Sequence, residues 1–323
     1  KRFKEEKNAA TPLVMSTYKT MFTYGVFCGA YNTTKSFYLN DDKKMEYGPI
    51  TSNYKDFLMT MHKWYKEGLL DNNFMGADNK IVESSMLNGK AGATIGGAGG
   101  SIGKWMGMAP SPEYKVAGTK YPVLKKGDKP QFNSRQNKVT GYGGAITTKC
   151  QNVAAAVKVL DFAYSEKGHM LMNFGIEGES YKMENGYPKY TDLITKNPNG
   201  TSMASIMAMY MRSNAIGSFV QDRRYMEQFA ALPEQKEALD VWSDSDVKNH
   251  MLPPFTPPAE DNTEYAKLMT EIGTYEDEMT AKFIMGEKSF GEWDSYVTKM
   301  KELGIERAMD ILSKGLERYN NRK

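Results

Sequence analysis

Apolar residues recur at intervals of three and four in several parts of the chain, as they do on one face of an α-helix. Residues 53–67 show this spacing and predict a helix. Ser52 or Asn53 can cap its start, and Gly68 fits the position just past its end. The predicted buried stripe consists of Phe57, Leu58, Met61, Trp64 and Tyr65.

Other segments extend this pattern to an alternation of strands and helices. Helices are predicted over 79–88 and over 153–164, the latter with Val153, Val157 and Leu160 facing inward. Strands are predicted at 91–95, near 115–124 and at 141–147, and Asn185-Gly186 indicates a tight hairpin turn. Three helices, at about 260–285, 289–303 and 305–320, close the chain. This order predicts an α/β protein with a helical tail.

Composition narrows the class of protein. The chain has 323 residues, 40% of them apolar, and a net charge of +3, which is typical of folded globular proteins and not of dedicated nucleic-acid binders. It contains no apolar run as long as a membrane span needs, and its first seven residues lack the apolar core of a signal peptide. Its two cysteines and three histidines are far apart in sequence, which argues against a cysteine-rich zinc site.

The glycine-rich segment 96–103 fits neither common nucleotide-binding motif. Gly103-Lys104 is followed by Trp105, whereas a phosphate-binding loop requires Ser or Thr there. No register of the segment matches the dinucleotide pattern G-x-G-x-x-G. The segment instead predicts a strand–loop–helix unit with Ser101 at the helix start, either a tight connection or a loop whose amides contact an oxygen-bearing ligand.

Motifs for metal binding and catalysis are also incomplete. Residues 71–78 resemble the start of a calcium loop, but Met75 and Val82 stand where oxygen ligands are required, so a turn between helices is predicted. The chain contains neither G-x-S-x-G nor H-E-x-x-H. Glu177 is flanked by glycine and is the most interesting carboxylate, although a lone Glu is usually a cap or an ion-pair partner. No cofactor and no metal are expected.

Six runs of residues share their order and spacing with a known family. They are 47–50, 64–71, 88–92, 97–105, 174–181 and 282–286. Over nearly its whole length the chain resembles the extracellular, family 1 solute-binding proteins of carbohydrate ABC importers, specifically the lipoprotein branch of Gram-positive bacteria.

This resemblance implies a two-lobed α/β fold of the class II periplasmic-binding-protein type. Residues 1–128 are expected to form the first part of a complete C-terminal lobe, 129–255 a partial N-terminal lobe, and 256–323 the helices that rejoin the C-terminal lobe. The chain is expected to lack the first part of the N-terminal lobe. The family also implies an extracellular location, with a lipid anchor outside this chain, and unpaired Cys28 and Cys150.

Candidate ligand-binding residues follow from the way sugars are bound, by ring stacking and oriented hydrogen bonds. Family members bind ligand through the first helical segment of the C-terminal lobe and through the loop after the strand at 91–95. Each aromatic ring has an alternative role in core packing, and Trp105 in particular can be a packing residue. The candidates are Tyr18, Tyr24, Gly97, Gly99, Gly100, Ser101, Trp105, Tyr142, Glu177 and Tyr181.

The expected function is capture of a sugar or oligosaccharide between two hinged lobes, without catalysis, for delivery to the permease subunits of an ABC transporter. Two alternatives stay open. One is a carbohydrate-active enzyme that uses paired carboxylates, and the other is a surface sensor or adhesion module built on the same fold. Neither a nucleic acid nor a particular sugar is implied.

Overall fold

The computed structural model describes residues 1–134, 137, 143–196, 201, 203–212 and 217–322, with the backbone alone at 18, 20, 23 and 24. The chain divides into two compact units. Unit 1 comprises Lys1–Ile95, Thr119–Asn137 and Trp242–Lys323, and unit 2 comprises Gly96–Gly118 and Lys138–Val241. The boundaries of these units do not coincide with those of the expected lobe ranges. Residues 96–118 lie in unit 2, and 129–137 and 242–255 lie in unit 1. The assignment of either unit to a lobe stays a prediction.

The described residues form short strands and mostly short helices. The strands are β1 Thr11–Leu13, β2 Phe37–Leu39, β3 Met45–Tyr47, β4 Ala91–Ala93, β5 Tyr181–Glu184 and β6 Tyr187–Tyr190. The helices are α1 Arg2–Glu5, α2 Ser52–Lys66, α3 Asn79–Leu87, α4 Lys104–Gly107, α5 Val153–Phe162, α6 Glu166–Phe174, α7 Asp192–Thr195, α8 Met203–Tyr210, α9 Arg223–Phe229, α10 Pro233–Ser243, α11 Val247–His250, α12 Asn262–Met285, α13 Trp293–Glu302 and α14 Ile305–Asn320. Across the described ranges, no helix has the length and apolar character needed to cross a membrane.

Three two-stranded sheets are present in the described residues. In unit 1, β1 pairs in parallel with β4, placing Thr11 opposite Ala91, and β2 pairs antiparallel with β3. In unit 2, β5 and β6 form an antiparallel hairpin. Its turn is the predicted Asn185-Gly186, and both residues have positive φ angles, 52° and 79°. This conformation is the reason for Asn-Gly at such turns, so the hairpin prediction is confirmed.

The core of unit 1 forms around α2 and α12. Thr51 caps α2, since its hydroxyl accepts a hydrogen bond from the Tyr54 amide at 3.3 Å, and Gly68 follows the helix with φ +64°. The helix is therefore confirmed, with its cap one residue before the expected position. Phe57 and Leu58 are buried against α12 and the last two helices, which lie close to their predicted bounds. Local spacing and caps account for these elements.

A buried polar network connects α12 to the rest of unit 1. Lys35 forms ion pairs with Glu276 and, at 2.5 Å, with Asp277. Glu276 is almost fully buried and also accepts a hydrogen bond from the Tyr54 hydroxyl at 3.0 Å and from Thr280 at 3.0 Å. A buried carboxylate requires such partners, because burial without them costs several kcal/mol.

Three expectations about local structure are wrong in this fold. Residues 115–124 form no strand, and neither do 143–147; 141 and 142 lie outside the described residues. Helix α5 forms as predicted, capped by Asn152, but Val153 and Val157 are about half exposed instead of buried. The physical reason is that the spacing fixes a helix face, while burial depends on what packs against that face.

Two smaller predictions are confirmed. Both cysteines are free, with Cys28 buried and Cys150 partly buried. The segment 71–78 is a turn, in which the Asp71 carboxylate accepts a hydrogen bond from the Asn73 amide at 3.0 Å and Asp78 caps α3. Over the described ranges, no group of three or more His, Cys, Asp or Glu side chains is placed to hold a metal ion.

Candidate functional site

Unit 2 contains a cavity of about 370 Å³. Three parts of the chain border it: the glycine-rich turn with α4, the end of α7 with the start of α8, and the connection from α9 to α10. Such a volume lies in the range of small-molecule sites and is sufficient for a sugar unit. The lining residues that matter below are Gly99, Gly103, Gly107, Phe229 and Gln235.

Gly99 and Phe229 fit against each other at this cavity. A Cβ atom on Gly99 would lie 1.9 Å from Cε1 and 2.0 Å from Cζ of the Phe229 ring. Any side chain larger than that of glycine at position 99 would therefore collide with the Phe229 ring. The Tyr225 ring supports the Phe229 ring as well, since the two are stacked at 5.7 Å between centroids with an interplanar angle of 14°. Phe229 is thus a fixed aromatic group at the cavity wall, the type of surface on which a sugar ring stacks.

Gln235 connects two walls of the cavity. Its side-chain amide donates hydrogen bonds to the carbonyl oxygens of Ala98, at 2.9 Å, and Phe229, at 3.3 Å. Its side-chain oxygen accepts a hydrogen bond from the Leu232 amide at 3.0 Å. The residue is nearly fully buried and packs closely against Gly103. Because all these bonds are made inside the unit, Gln235 fixes the position of the glycine-rich turn relative to the end of α9.

The start of α9 is held by a second polar network. The Asp222 carboxylate accepts hydrogen bonds from the Arg224 amide at 2.8 Å and the Arg224 guanidinium at 2.6 Å, and it lies 2.9 Å from Nε2 of His169. The Asp222 amide donates to the Asn173 side chain at 2.7 Å. Burial opposes ionisation of Asp222, but the bonds from Arg224 and His169 outweigh it and hold its pKa well below the usual range. The network therefore orients the helix that carries Phe229.

The structure brings only part of the expected glycine loop to the cavity. Gly99 borders it, whereas Gly97, Gly100 and Ser101 do not. The Ser101 hydroxyl accepts a hydrogen bond from the Gly97 amide at 3.3 Å, which closes the start of a short π-helical turn, Ala98–Gly103. The role expected for these three residues in ligand binding stays a prediction.

Other candidates from the sequence are distributed elsewhere. The Tyr181 ring is buried in the core of unit 2 beside Phe174, because β5 turns that residue inward, and this position does not suit a stacking surface. Trp105 is also buried, in agreement with a packing role, whereas Glu177 is exposed. Tyr18 lies in a 3₁₀ helix of unit 1, as does Tyr24, but their side chains, like Tyr142 as a whole, lie outside the described residues.

Sequence reasoning missed the residues that define the cavity apart from Gly99. Phe229 ends an ordinary short helix, and Gln235 is one of several polar residues in the next one. Neither has a local motif. Their relation to Gly99 depends on contacts across more than 120 positions of sequence, which no spacing rule describes.

Part of the chain matches a known protein family. The family model for bacterial extracellular solute-binding proteins matches residues 1–170. No curated protein sequence matches the chain.

Several solved structures share the fold. An alginate-binding protein, AlgQ2, solved without calcium ion, has a TM-score of 0.78 and 23% identity and covers 98% of this chain and 66% of its own. FusA, an ABC-transporter substrate-binding protein of S. pneumoniae solved with fructo-nystose, has a TM-score of 0.68 and 17% identity. The match covers 99% of this chain and 65% of FusA. An HMO-binding, ABC-transporter-associated solute-binding protein of Bifidobacterium longum infantis has a TM-score of 0.65 and 17% identity, and the match covers 99% of this chain and 68% of that protein.

These likenesses extend along almost the whole of the present chain, which spans about two thirds of the length of these structures. At such identities they show the fold alone. The chain therefore has the α/β fold of the two-lobed solute-binding proteins, as the resemblance implied.

Proposed function

The chain belongs to the family of bacterial extracellular solute-binding proteins, and on this premise we propose that it binds a sugar or oligosaccharide without chemically altering it. The proposal is supported by the cavity of unit 2, where the Phe229 ring contacts Gly99 and Tyr225 and also lines the cavity as an apolar surface for a sugar ring. Backbone N–H and C=O groups beside it can hydrogen-bond with hydroxyl groups. The structural neighbours named above include proteins described as binding alginate, fructo-nystose and HMO.

The test is a binding measurement with Phe229 replaced. Calorimetry or thermal shift with a panel of oligosaccharides should find a ligand for the native chain. Phe229→Leu keeps most of the volume but removes the ring, and loss of a stacking contact worth about 0.5–1.5 kcal/mol weakens binding about 2- to 12-fold. Phe162→Leu is the matched control, because Phe162 is an exposed phenylalanine on α5, outside the cavity lining.

Two outcomes contradict the proposal. One is a full panel in which no saccharide binds or raises the melting temperature. The other is a steady release of shorter sugars from a bound oligosaccharide, which would indicate an enzyme. Equal affinity of Phe229→Leu and Phe162→Leu for the same sugar would place the binding site elsewhere in the molecule.

The proposal includes the role of the bound sugar in the cell. The family is extracellular, and we propose that the protein delivers its ligand to the permease subunits of an ABC transporter, with two lobes closing on the sugar as expected for the fold. Attachment to the outer face of the cytoplasmic membrane through a lipid is part of the same proposal. Deletion of the gene should abolish uptake of the radiolabelled ligand by intact cells, while a sensor or adhesion module would leave uptake unchanged.

A further inference from the structure

Glycines line the cavity of unit 2 at intervals of four residues, at Gly99, Gly103 and Gly107. Packing accounts for the first two. A Cβ atom on Gly99 would collide with the Phe229 ring, and one on Gly103 would lie 2.6 Å from the side-chain nitrogen of Gln235. Beyond its own helix and chain neighbours, no atom that the structure describes lies within 4 Å of a Cβ placed on Gly107. Packing therefore does not require glycine at position 107.

The backbone does not require glycine at this position either. Gly107 is the last residue of α4, and its φ angle lies outside the left-handed region that favours glycine. Alanine adopts the same helical conformation and loses less conformational entropy when the chain folds. Alanine at position 107 would therefore stabilise the protein, and the reason for glycine has to be sought in the space that the missing side chain leaves open.

That space belongs to the opening of the cavity, because Gly107 lines the cavity and is at the same time exposed to solvent. Met106 and Met108 flank it and line the cavity together with Met203. Methionine side chains are flexible and polarizable, so they can adapt to apolar faces of different shape. The Gly107 carbonyl lies in the last turn of α4, where carbonyl groups have no partner within the helix and can accept hydrogen bonds from hydroxyl groups.

We propose that Gly107 determines the length of saccharide that the cavity accepts. One sugar unit stacks on Phe229, and the adjoining unit passes over the Gly107 backbone as the saccharide leaves the cavity. Only glycine leaves the backbone open to so close an approach. This inference rests on the proposed function as a carbohydrate-binding protein and specifies the ligand as an oligosaccharide instead of a single sugar.

The experiment measures binding to the complete 323-residue chain by calorimetry. The probes are alginate tetrasaccharide, nystose, maltotetraose and lacto-N-tetraose, each beside its component monosaccharides. The variants are Gly107→Ala and Gly107→Leu, since both residues favour a helix and differ in size. Gly273→Ala and Gly273→Leu are the matched controls. Gly273 is also a helical glycine without a positive φ angle and with no described atom within 4 Å of its Cβ position, but it lies on α12 of unit 1, outside the cavity lining.

The native chain should bind at least one tetrasaccharide ten or more times more tightly than the component monosaccharides. Gly107→Ala should weaken that binding at least twofold and Gly107→Leu at least tenfold, while the affinity for any monosaccharide that binds should change less than twofold. The melting temperature of ligand-free Gly107→Ala should equal or exceed that of the native chain, because alanine favours the helix. Both Gly273 variants should bind the tetrasaccharide like the native chain.

Each contrary outcome has a distinct meaning. An unchanged tetrasaccharide affinity of Gly107→Leu, or a monosaccharide bound as tightly as the tetrasaccharide, overturns the inference but leaves the proposed function standing. A lower melting temperature of Gly107→Ala also overturns it, since glycine would then be required by the fold and not by the ligand. Absence of binding by every saccharide overturns the inference together with the proposed function.

Discussion

Replacing Gly99 by alanine tests the contact on which the cavity geometry depends. The added methyl would lie 1.9 Å from the Phe229 ring, and ordinary contact begins at 3.4 Å, so the ring must recede by about 1.5 Å. Its movement is opposed by the stacked Tyr225 ring and by the hydrogen bond from Gln235 to the Phe229 carbonyl. Overpacking of this kind typically costs about 1–3 kcal/mol.

The same turn offers a matched control. Gly100 has no atom within 4 Å of the position where a Cβ would stand, and neither glycine has a positive φ angle. Gly100→Ala should therefore be neutral or stabilise the chain by up to about 1 kcal/mol, because alanine restricts the unfolded chain more than glycine. The contrast between the two variants isolates the contact with the ring from the general effect of adding a methyl group to this turn.

Urea unfolding followed by circular dichroism measures the global effect, and hydrogen exchange of the α9 amides localises it. Gly99→Ala should lower the unfolding midpoint and speed exchange in α9, and it should weaken sugar binding, while Gly100→Ala should do none of these. If the two variants are equally stable and exchange alike in α9, the close fit between Gly99 and Phe229 is not what positions the ring.

Three further predictions concern the polar and ionisable groups. Lys35→Met should lower the free energy of unfolding in urea by about 3–5 kcal/mol, because it leaves the buried Glu276 without its cation. Removal of the exposed Lys299, the control, should lower it by less than about 1 kcal/mol. Burial raises the pKa of the Cys28 thiol to about 12, so Cys150 alone should react with a disulfide reagent at pH 8 before unfolding. The free energy of unfolding should fall above about pH 9, because the Cys28 thiol ionises there in the unfolded chain but not in the folded one. Because the pKa of Asp222 is lowered in the folded chain, its ionised carboxylate stabilises the fold above the ordinary carboxyl pKa of about 4. The free energy of unfolding should therefore decline below about pH 4, and it should decline less in Asp222→Asn than in the native chain.

The parts of the fold that were predictable are those set by neighbours in sequence. Helix α2 follows from its apolar spacing and from Gly68 just past its end, although its cap is Thr51 and not Ser52 or Asn53. The Asn185-Gly186 turn follows from the positive φ angles that it requires. In each case the residues that determine the structure lie within one turn of it. The same locality explains why the three C-terminal helices lie close to their expected bounds.

The candidate site was less predictable because its residues meet only in three dimensions. The sequence indicated the glycine-rich turn as a place where a ligand can approach, and Gly99 does border the cavity. It gave no sign that Phe229 would occupy the space that Gly99 leaves open. Tyr181, by contrast, carried the expected chemistry but faces the core, since residue type does not determine on which side of a short strand the ring lies.

Helix α5 separates what a hydrophobic pattern determines from what it does not. Asn152 caps it, with a hydrogen bond of 3.0 Å from the Ala155 amide, and its alanines favour a helix, so the helix forms from local interactions. Of the three residues expected to face inward, Leu160 packs against Gly144, but Val153 is 52% and Val157 50% exposed. Burial of a helix face is a property of the pair of surfaces in contact, and the sequence of the helix contains only one of them. The pattern therefore predicted the helix correctly and its inward face incorrectly.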